Sequence, residues 1–273
     1  MGLFTTRQLL GYTEQKVKFR ALFLELFFRR TVNFHTEEVM LDKITGKTPV
    51  AAYVSPVVEG KVLRHRGGET RALRPGYVKP KHEFNYQQAV ERLPGEDPAQ
   101  LNDPAYRRLR IITDNLKQEE HAIVQVEEMQ AVNAVLYGKY TMEGDQFDTV
   151  EVDFGRSEGN NIEQADGKKW SEQDRDTFDP THDIDLYCDQ ASGLVNIAIM
   201  DGTVWRLLNG FKLFREKLDT RRGSNSQLET AVKDLGAVVS FKGYYGDLAI
   251  VVAKTSYVAE DGTEKRYLPE GTL

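Results

Sequence analysis

The stretch richest in acid-base potential reads Asp176-Thr177-Phe178-Asp179-Pro180-Thr181-His182-Asp183-Ile184-Asp185. Carboxylates this close together could hold a hard cation or exchange protons with a substrate. The spacing fits no calcium loop. Pro180 stiffens the place where a ligand loop must bend, and no Gly or bidentate Glu stands where one is needed. The plainer reading makes Asp179 or Thr181 the cap of a short helix beginning near Pro180, with the other acids solvated. A hydrolase using Asp179, Asp183 or Asp185 would need a substrate, and the sequence suggests none. The five histidines (His35, His65, His82, His121, His182) share no repeated spacing, and there is no Gly-x-Ser-x-Gly elbow. Distant residues can still assemble a triad, so missing motifs lower the case for an enzyme without closing it. Cys188 is the one cysteine, which excludes an internal disulfide; with no Cys-x-x-Cys spacing around it, it reads as a buried thiol. Gly67-Gly68 is not a phosphate loop, because no Lys followed by Ser or Thr comes after it. No enzymatic activity, cofactor, metal or small-molecule substrate is expected.

Charge offers a different kind of chemistry. Residues 61 to 82 contain Lys61, Arg64, Arg66, Arg71, Arg74, Lys79 and Lys81 against one acid, Glu69. Around them, from Tyr53 to Glu83, β-branched and aromatic residues flank Gly67-Gly68-Glu69-Thr70. That pattern predicts two long strands joined by a turn at those four residues. Each arm of about ten residues would reach roughly 33 Å, enough to protrude from a small domain. Such a hairpin could grip nucleic acid backbone, meet a neighbouring subunit's acidic face, or simply be solvated. The second reading is preferred, because residues 143 to 189 carry fifteen acids against four bases. An outstretched basic hairpin and an acidic body on one chain imply head-to-tail contact between copies, which closes into rings or extends into lattices.

The elements that must position these charges are legible in outline. Phe19, Leu22, Phe23, Leu24, Leu26, Phe27 and Phe28 crowd into ten positions, forming an arm that must dock on something. The apolar part, Ala21 to Phe28, is too short to cross a bilayer, and with no signal peptide ahead of it an intracellular product is expected. Asp103, Pro104 and Gly138 read as the N-cap, first-turn proline and C-terminal stop of a helix over 104–137. Its apolar residues Leu109, Ile112, Leu116, Ile123, Val126, Met129, Val132 and Leu136 predict a core face, with Arg107, Arg110, Lys117 and Glu127 turned outward. The last third predicts a strand at Leu194 to Met200, a helix at Val204 to Leu218, and a second helix opened by the capping box Ser226-x-x-Glu229. Strands at Ala237 to Phe241 and Leu248 to Ala253 and a turn at Asp261-Gly262 complete it. With 40% apolar residues and a net charge of −6, the chain is a folded protein that does not coat nucleic acid over its whole surface.

Several separate strings resemble the major capsid protein family of lambda-type tailed bacteriophages. They are Tyr53-Val54-Ser55-Pro56, Pro75-Gly76-Tyr77-Val78-Lys79-Pro80-Lys81-His82-Glu83, Asp103-Pro104-Ala105-Tyr106-Arg107-Arg108, Gln125-Val126-Glu127-Glu128-Met129-Gln130-Ala131-Val132, and Lys217-Leu218-Asp219-Thr220-Arg221-Arg222-Gly223-Ser224-Asn225-Ser226. The resemblance implies an α+β, HK-ninety-seven-like capsid fold. Residues 1–45 would be an N-terminal arm and 46–90 an extended loop. Residues 91–165 would form a peripheral domain on the 104–137 spine helix, and 166–273 mainly an axial domain. It implies a shell protein, found in the virion capsid and beforehand in the host bacterial cytoplasm. Copies would join into hexamers and pentamers of an icosahedral head around double-stranded DNA, with decoration, scaffold and portal proteins as partners and no membrane. The seven basic hairpin residues would then be subunit-interface residues. The family's chains continue past Leu273, which implies a prophage-encoded, C-terminally truncated copy with an exposed sheet edge that assembles poorly. The alternative kept beside this reading is a nucleic-acid-binding protein using the 61–82 hairpin.

Overall fold

The computed structural model describes residues 20–45, 67–83, 104–144, 147–191, 193–219, 239–259 and 261–273. Asp103, the Ser226-Glu229 capping box, Tyr53 to Arg66 and residues 1–19 lie outside them. The chain divides into two compact units: residues 1–29, 80–140 and 153–273, and residues 30–79 with 141–152.

The larger unit is organised by one strand that is apolar at every position. β7 (Leu248–Ala253) is buried along its whole length and lies between β5 (Ile197–Met200), parallel to it, and β6 (Val239–Tyr245), antiparallel. A strand covered on both faces has no polar side, which is why Leu248-Ala249-Ile250-Val251-Val252-Ala253 shows no alternation. Successive side chains still point to opposite faces. Val251 and Ala253 enter one core with Leu22, Phe23, Ala131, Val132, Tyr267 and Leu268. Leu248, Ile250 and Val252 enter the other with Trp170, Ile184, Met200, Leu208, Phe211 and Phe214.

The first core is closed by α1 (Leu22–Phe27) lying on α2 (Pro104–Tyr137). The arm predicted to dock does so here, with Leu22 and Phe23 buried. The bounds of α2 match its punctuation. Proline fits a first turn, and Gly138 follows the last turn at φ +69°, where an added Cβ would fall 2.4 Å from the Arg156 side chain. The aliphatic stem of Arg156 occupies that space, and its guanidinium donates to the carbonyls of Val135 and Leu136, the latter at 2.8 Å. The cation thus satisfies carbonyls that the helix end leaves without partners.

The second core is covered by α3 (Thr181–Gln190), α4 (Gly202–Leu208) and α5 (Lys212–Lys217). The single helix predicted over Val204 to Leu218 is two, because Asn209-Gly210 closes the first and Phe211 is extended, at φ −76° and ψ 127°. That break lets Phe211 and Phe214 both enter the core. α4 begins earlier than predicted because Asp201 caps it, accepting from the Thr203 N–H at 2.9 Å. β6 bulges between Phe241 and Gly243. Gly243 sits at φ +148°, and a Cβ there would lie 2.6 Å from the Asp219 carbonyl oxygen, which accepts the Tyr244 N–H at 2.8 Å while the Asp219 N–H donates to the Tyr244 carbonyl at 2.8 Å. The turn at Asp261-Gly262 joins β8 (Ser256–Val258) to β9 (Glu264–Arg266) as predicted.

In the smaller unit, β1 (Val39–Thr45) pairs antiparallel with β2 (Gly67–Leu73), from Val39 opposite Leu73 to Thr45 opposite Gly67. This corrects the predicted turn at Gly67-Gly68-Glu69-Thr70: those residues are strand. The glycine pair resembles turn punctuation, but the ladder with Val39 to Thr45 continues straight through it. The connection lies in 46–66, outside the described residues. A second ribbon pairs β3 (Lys139–Gly144) with β4 (Phe147–Asp153).

Candidate assembly surfaces

The hairpin's chemistry starts from its register. Arg71 stands opposite Leu41 in β2, and Arg74 follows the strand's end. Arg74 is exposed, and its Nε donates to Glu38 Oε1 at 3.1 Å, so this cation meets an acid of its own chain. Lys79 is exposed and stacks over the Tyr77 ring at 5.1 Å, while Lys81 is exposed. Lys61, Arg64 and Arg66 lie outside the described residues, as does the side chain of Arg71. An ion pair at the surface contributes little to stability, so Glu38 fixes the direction of Arg74 more than it strengthens the fold.

The spine helix departs from its predicted faces. Its apolar stripe is outward over the first half: Leu109 is 64% exposed, Ile112 38% and Leu116 59%. Ile111 and Arg107 are buried instead. Further along, Val132 is buried as predicted, Met129 is exposed, and the core contact moves to Glu128, Ala131 and Val132. Leu109, Ile112 and Leu116 follow at three and four residues, so they form one row on a helix surface. A contiguous exposed apolar row is the signature of a surface that is covered by something else.

Glu128 is 0% exposed. Its two oxygens accept the backbone N–H groups of Phe23 and Leu24, both at 2.9 Å, at the start of α1. Burial raises its pKa, against the pull of the amides of Phe23, Leu24 and Leu22. The sequence reading missed this residue. The available signal was its position in one register with Ala131, Val132 and Val135, a carboxylate inside a buried stripe. Glu119, nine residues before Glu128 and half a turn around the helix, accepts the His82 N–H at 2.9 Å, with the His82 Nδ1 3.1 Å from the same oxygen.

The acidic run settles into structural roles. Asp179 Oδ1 accepts from the N–H and hydroxyl of Thr181, at 3.1 and 2.7 Å, steadying the first residue of α3 from just ahead of its N-cap, which is Pro180 and not Asp179 or Thr181 as expected. Its other oxygen takes the Lys217 ammonium at 2.6 Å. Burial opposes ionisation of Asp179, but the hydrogen bonds from Lys217 and Thr181 outweigh it and hold the pKa below the usual carboxylate value. Asp183 is not merely solvated, since it accepts from the Trp170 indole at 2.7 Å, and Asp185 accepts from the Tyr245 hydroxyl at 3.0 Å. Cys188 is only half-buried against the second core, where a buried thiol was expected. Burial, then Asp185 and Asp189, raise its pKa. Among the described residues no group of three His, Cys, Asp or Glu side chains could hold a metal, and no helix is long and apolar enough to cross a membrane.

A "P21 prophage-derived major head protein" of Escherichia coli O6:H1 is 94% identical over the full 273 residues, which cover 80% of its length. The major capsid protein of Enterobacteria phage P21 has the same identity and coverage, and that of Escherichia phage lambda is 59% identical with 80% of its length covered. A crystal structure of a prophage capsid protein from E. coli CFT073 is 45% identical and superposes with a TM-score of 0.72, over 97% of this chain and 78% of that one. The relatives named here are head or capsid proteins, which does not support the nucleic-acid-binding alternative. Since the sequence model described as "Phage major capsid protein E" matches residues 5–273, the chain belongs to the phage major capsid protein E family.

Proposed function

We propose that copies of this chain assemble into hexamers and pentamers that close an icosahedral phage head around double-stranded DNA. Scaffold and portal proteins would act in the bacterial cytoplasm, and a decoration protein would reinforce the shell. In this reading residues 1–45 serve as an arm, 46–90 as an extended loop, 91–165 as a peripheral domain on the spine helix and 166–273 mainly as an axial domain. Lys61, Arg64, Arg66, Arg71, Lys79 and Lys81 face acids of a neighbouring copy, with the excess of acid over residues 143 to 189 as their counterpart, while Arg74, first grouped with them, is engaged by Glu38 of its own chain. The observation that carries the proposal is the exposed row Leu109, Ile112, Leu116 on the spine helix. An isolated monomer gains nothing from it, and a repeating contact between copies covers it.

Sedimentation velocity and negative-stain electron microscopy of the purified chain over a wide concentration range test this reading. Rings or shells appearing above a threshold concentration are expected. A monomer at every concentration, with and without a scaffold protein from the P21 relative, would refute self-assembly.

A further inference from the structure

In the larger unit β5 stands at one edge of its sheet, with β7 along its inner side and no strand along its outer side among the described residues. The register fixes which backbone groups face outward. Ile197 lies opposite Ala249 and Ile199 opposite Val251, and the Asn196 carbonyl accepts the Ala249 N–H at 3.0 Å. Asn196, Ala198 and Met200 therefore turn their backbone groups to β7, while Ile197, Ile199 and Asp201 turn theirs away. Among the described residues, only the Asp201 N–H of these outward groups has a backbone partner, the Thr272 carbonyl at 3.0 Å. Beside this edge lies a cleft of about 900 Å³. It is lined by β5 itself, by Phe23 and Leu136 from the side of the first core, by Ile184 and Val204 from the second, and by Thr272 and Leu273. An apolar edge with open backbone groups is a template for another strand.

We propose that this cleft is a strand acceptor, which takes an extended segment, apolar at every position and antiparallel to β5, from head-protein polypeptide outside these 273 residues. Both faces of the added strand would meet apolar side chains, as both faces of β7 do, so a strand that alternates apolar and polar residues does not fit. The bond between Thr272 and Asp201 sets the register. An antiparallel strand that continues it exchanges hydrogen bonds with Ile199 two residues on and with Ile197 four residues on. The P21 relatives are 94% identical to this chain, and the 80% of their length that it covers leaves them about a fifth more polypeptide from which such a strand can come. A flat contact with a second copy would cover the edge and leave the cleft unfilled. The proposal concerns a single chain and stands whether or not copies assemble.

The test follows amide hydrogen exchange of the full chain by NMR. Short overlapping synthetic peptides, which together cover the part of the P21 major head protein that this chain does not span, are added at millimolar concentration. One of them, with a run of consecutive apolar residues, should slow exchange at Ile197 and Ile199 about tenfold. Ala198 and Met200, already bonded to β7, should not change. The same peptide, N-methylated at the amides that would face β5, should bind at least about tenfold more weakly, because it keeps the apolar side chains and loses the ladder. The proposal is overturned if no peptide protects the two amides, or if the N-methylated form binds as well as its parent. It is equally overturned if Ile197 and Ile199 already exchange as slowly as Ala198 and Met200 in the chain alone. Protection that grows with the concentration of this chain alone would give the edge to a second copy and overturn it too.

Discussion

Replacing Leu109, Ile112 and Leu116 together with glutamine separates assembly from folding. Glutamine is nearly as good a helix former as leucine, so the spine helix itself should lose only a few tenths of a kcal/mol per site. The exposed fractions are 64%, 38% and 59%, together the surface of roughly one and a half whole side chains still open to be covered. At roughly 1.5–3 kcal/mol for full burial of one such side chain, covering them contributes about 2–5 kcal/mol per copy in a contact between subunits. The variant should therefore associate about thirty- to several-thousandfold more weakly. Light scattering against concentration, checked by electron microscopy, measures the threshold for particles, and urea unfolding measures the fold. The expected outcome is a threshold raised by at least an order of magnitude, with an unfolding free energy within about 1 kcal/mol of the parent. An unchanged threshold would refute the reasoning. So would a fold weakened by several kcal/mol, since that would place the row inside the monomer.

Gly243→Ala puts a Cβ 2.6 Å from the Asp219 carbonyl oxygen at φ +148°. Strain together with loss of the Asp219-Tyr244 pairing should cost about 2–4 kcal/mol, read as a lower urea midpoint. Arg156→Ala removes the cation that donates to the carbonyls of Val135 and Leu136. The last turn of α2 should fray at a cost of about 1 kcal/mol, seen as faster hydrogen exchange around Tyr137 and Gly138. Asp179 and Asp201 both titrate below the ordinary 3.8: burial works against this, while the hydrogen bonds of Lys217 and Thr181 on one, and of Thr203, Gly202 and the charge of Arg266 on the other, prevail. A depressed folded value means that the stability they contribute is complete above 3.8 and is lost as pH falls through the lower folded values. Urea midpoints measured from about pH 5 down to about pH 2.5 should fall less steeply in Asp179→Asn and Asp201→Asn than in the parent.

The parts of the fold readable from sequence are those whose punctuation is local. Pro104 and Gly138 bracket α2 because a missing N–H is harmless in a first turn and a positive φ is cheap for glycine. Leu248 to Ala253 is strand because six apolar residues in a row suit a position covered on both faces. The errors arise where a distant partner outvotes the local pattern. Gly67-Gly68 is strand because Thr45 and Ile44 lie across from it. The 204–218 helix is broken because Phe211 and Phe214 must both reach one core.

The same distinction explains why the candidate surfaces were harder to read than the fold. A helix-wide stripe assumes one partner along the whole helix, whereas α2 has α1 against its later turns and an open row on its earlier ones. Averaging those two halves hides both the exposed leucines and the buried Glu128. The carboxylate is invisible to any rule that sorts residues by polarity, because it is interior for the sake of two amides more than a hundred positions earlier in the chain. Glutamates at 119 and 128 are ordinary helix formers on paper. What distinguishes them is only which segments arrive opposite them, and that is a property of the fold. Charge is legible for the opposite reason: the excess of seven bases over one acid between residues 61 and 82 is a sum that no packing changes. Packing does decide how much of that charge is available to a partner, and the pairing of Arg74 with Glu38 already withholds one cation from it.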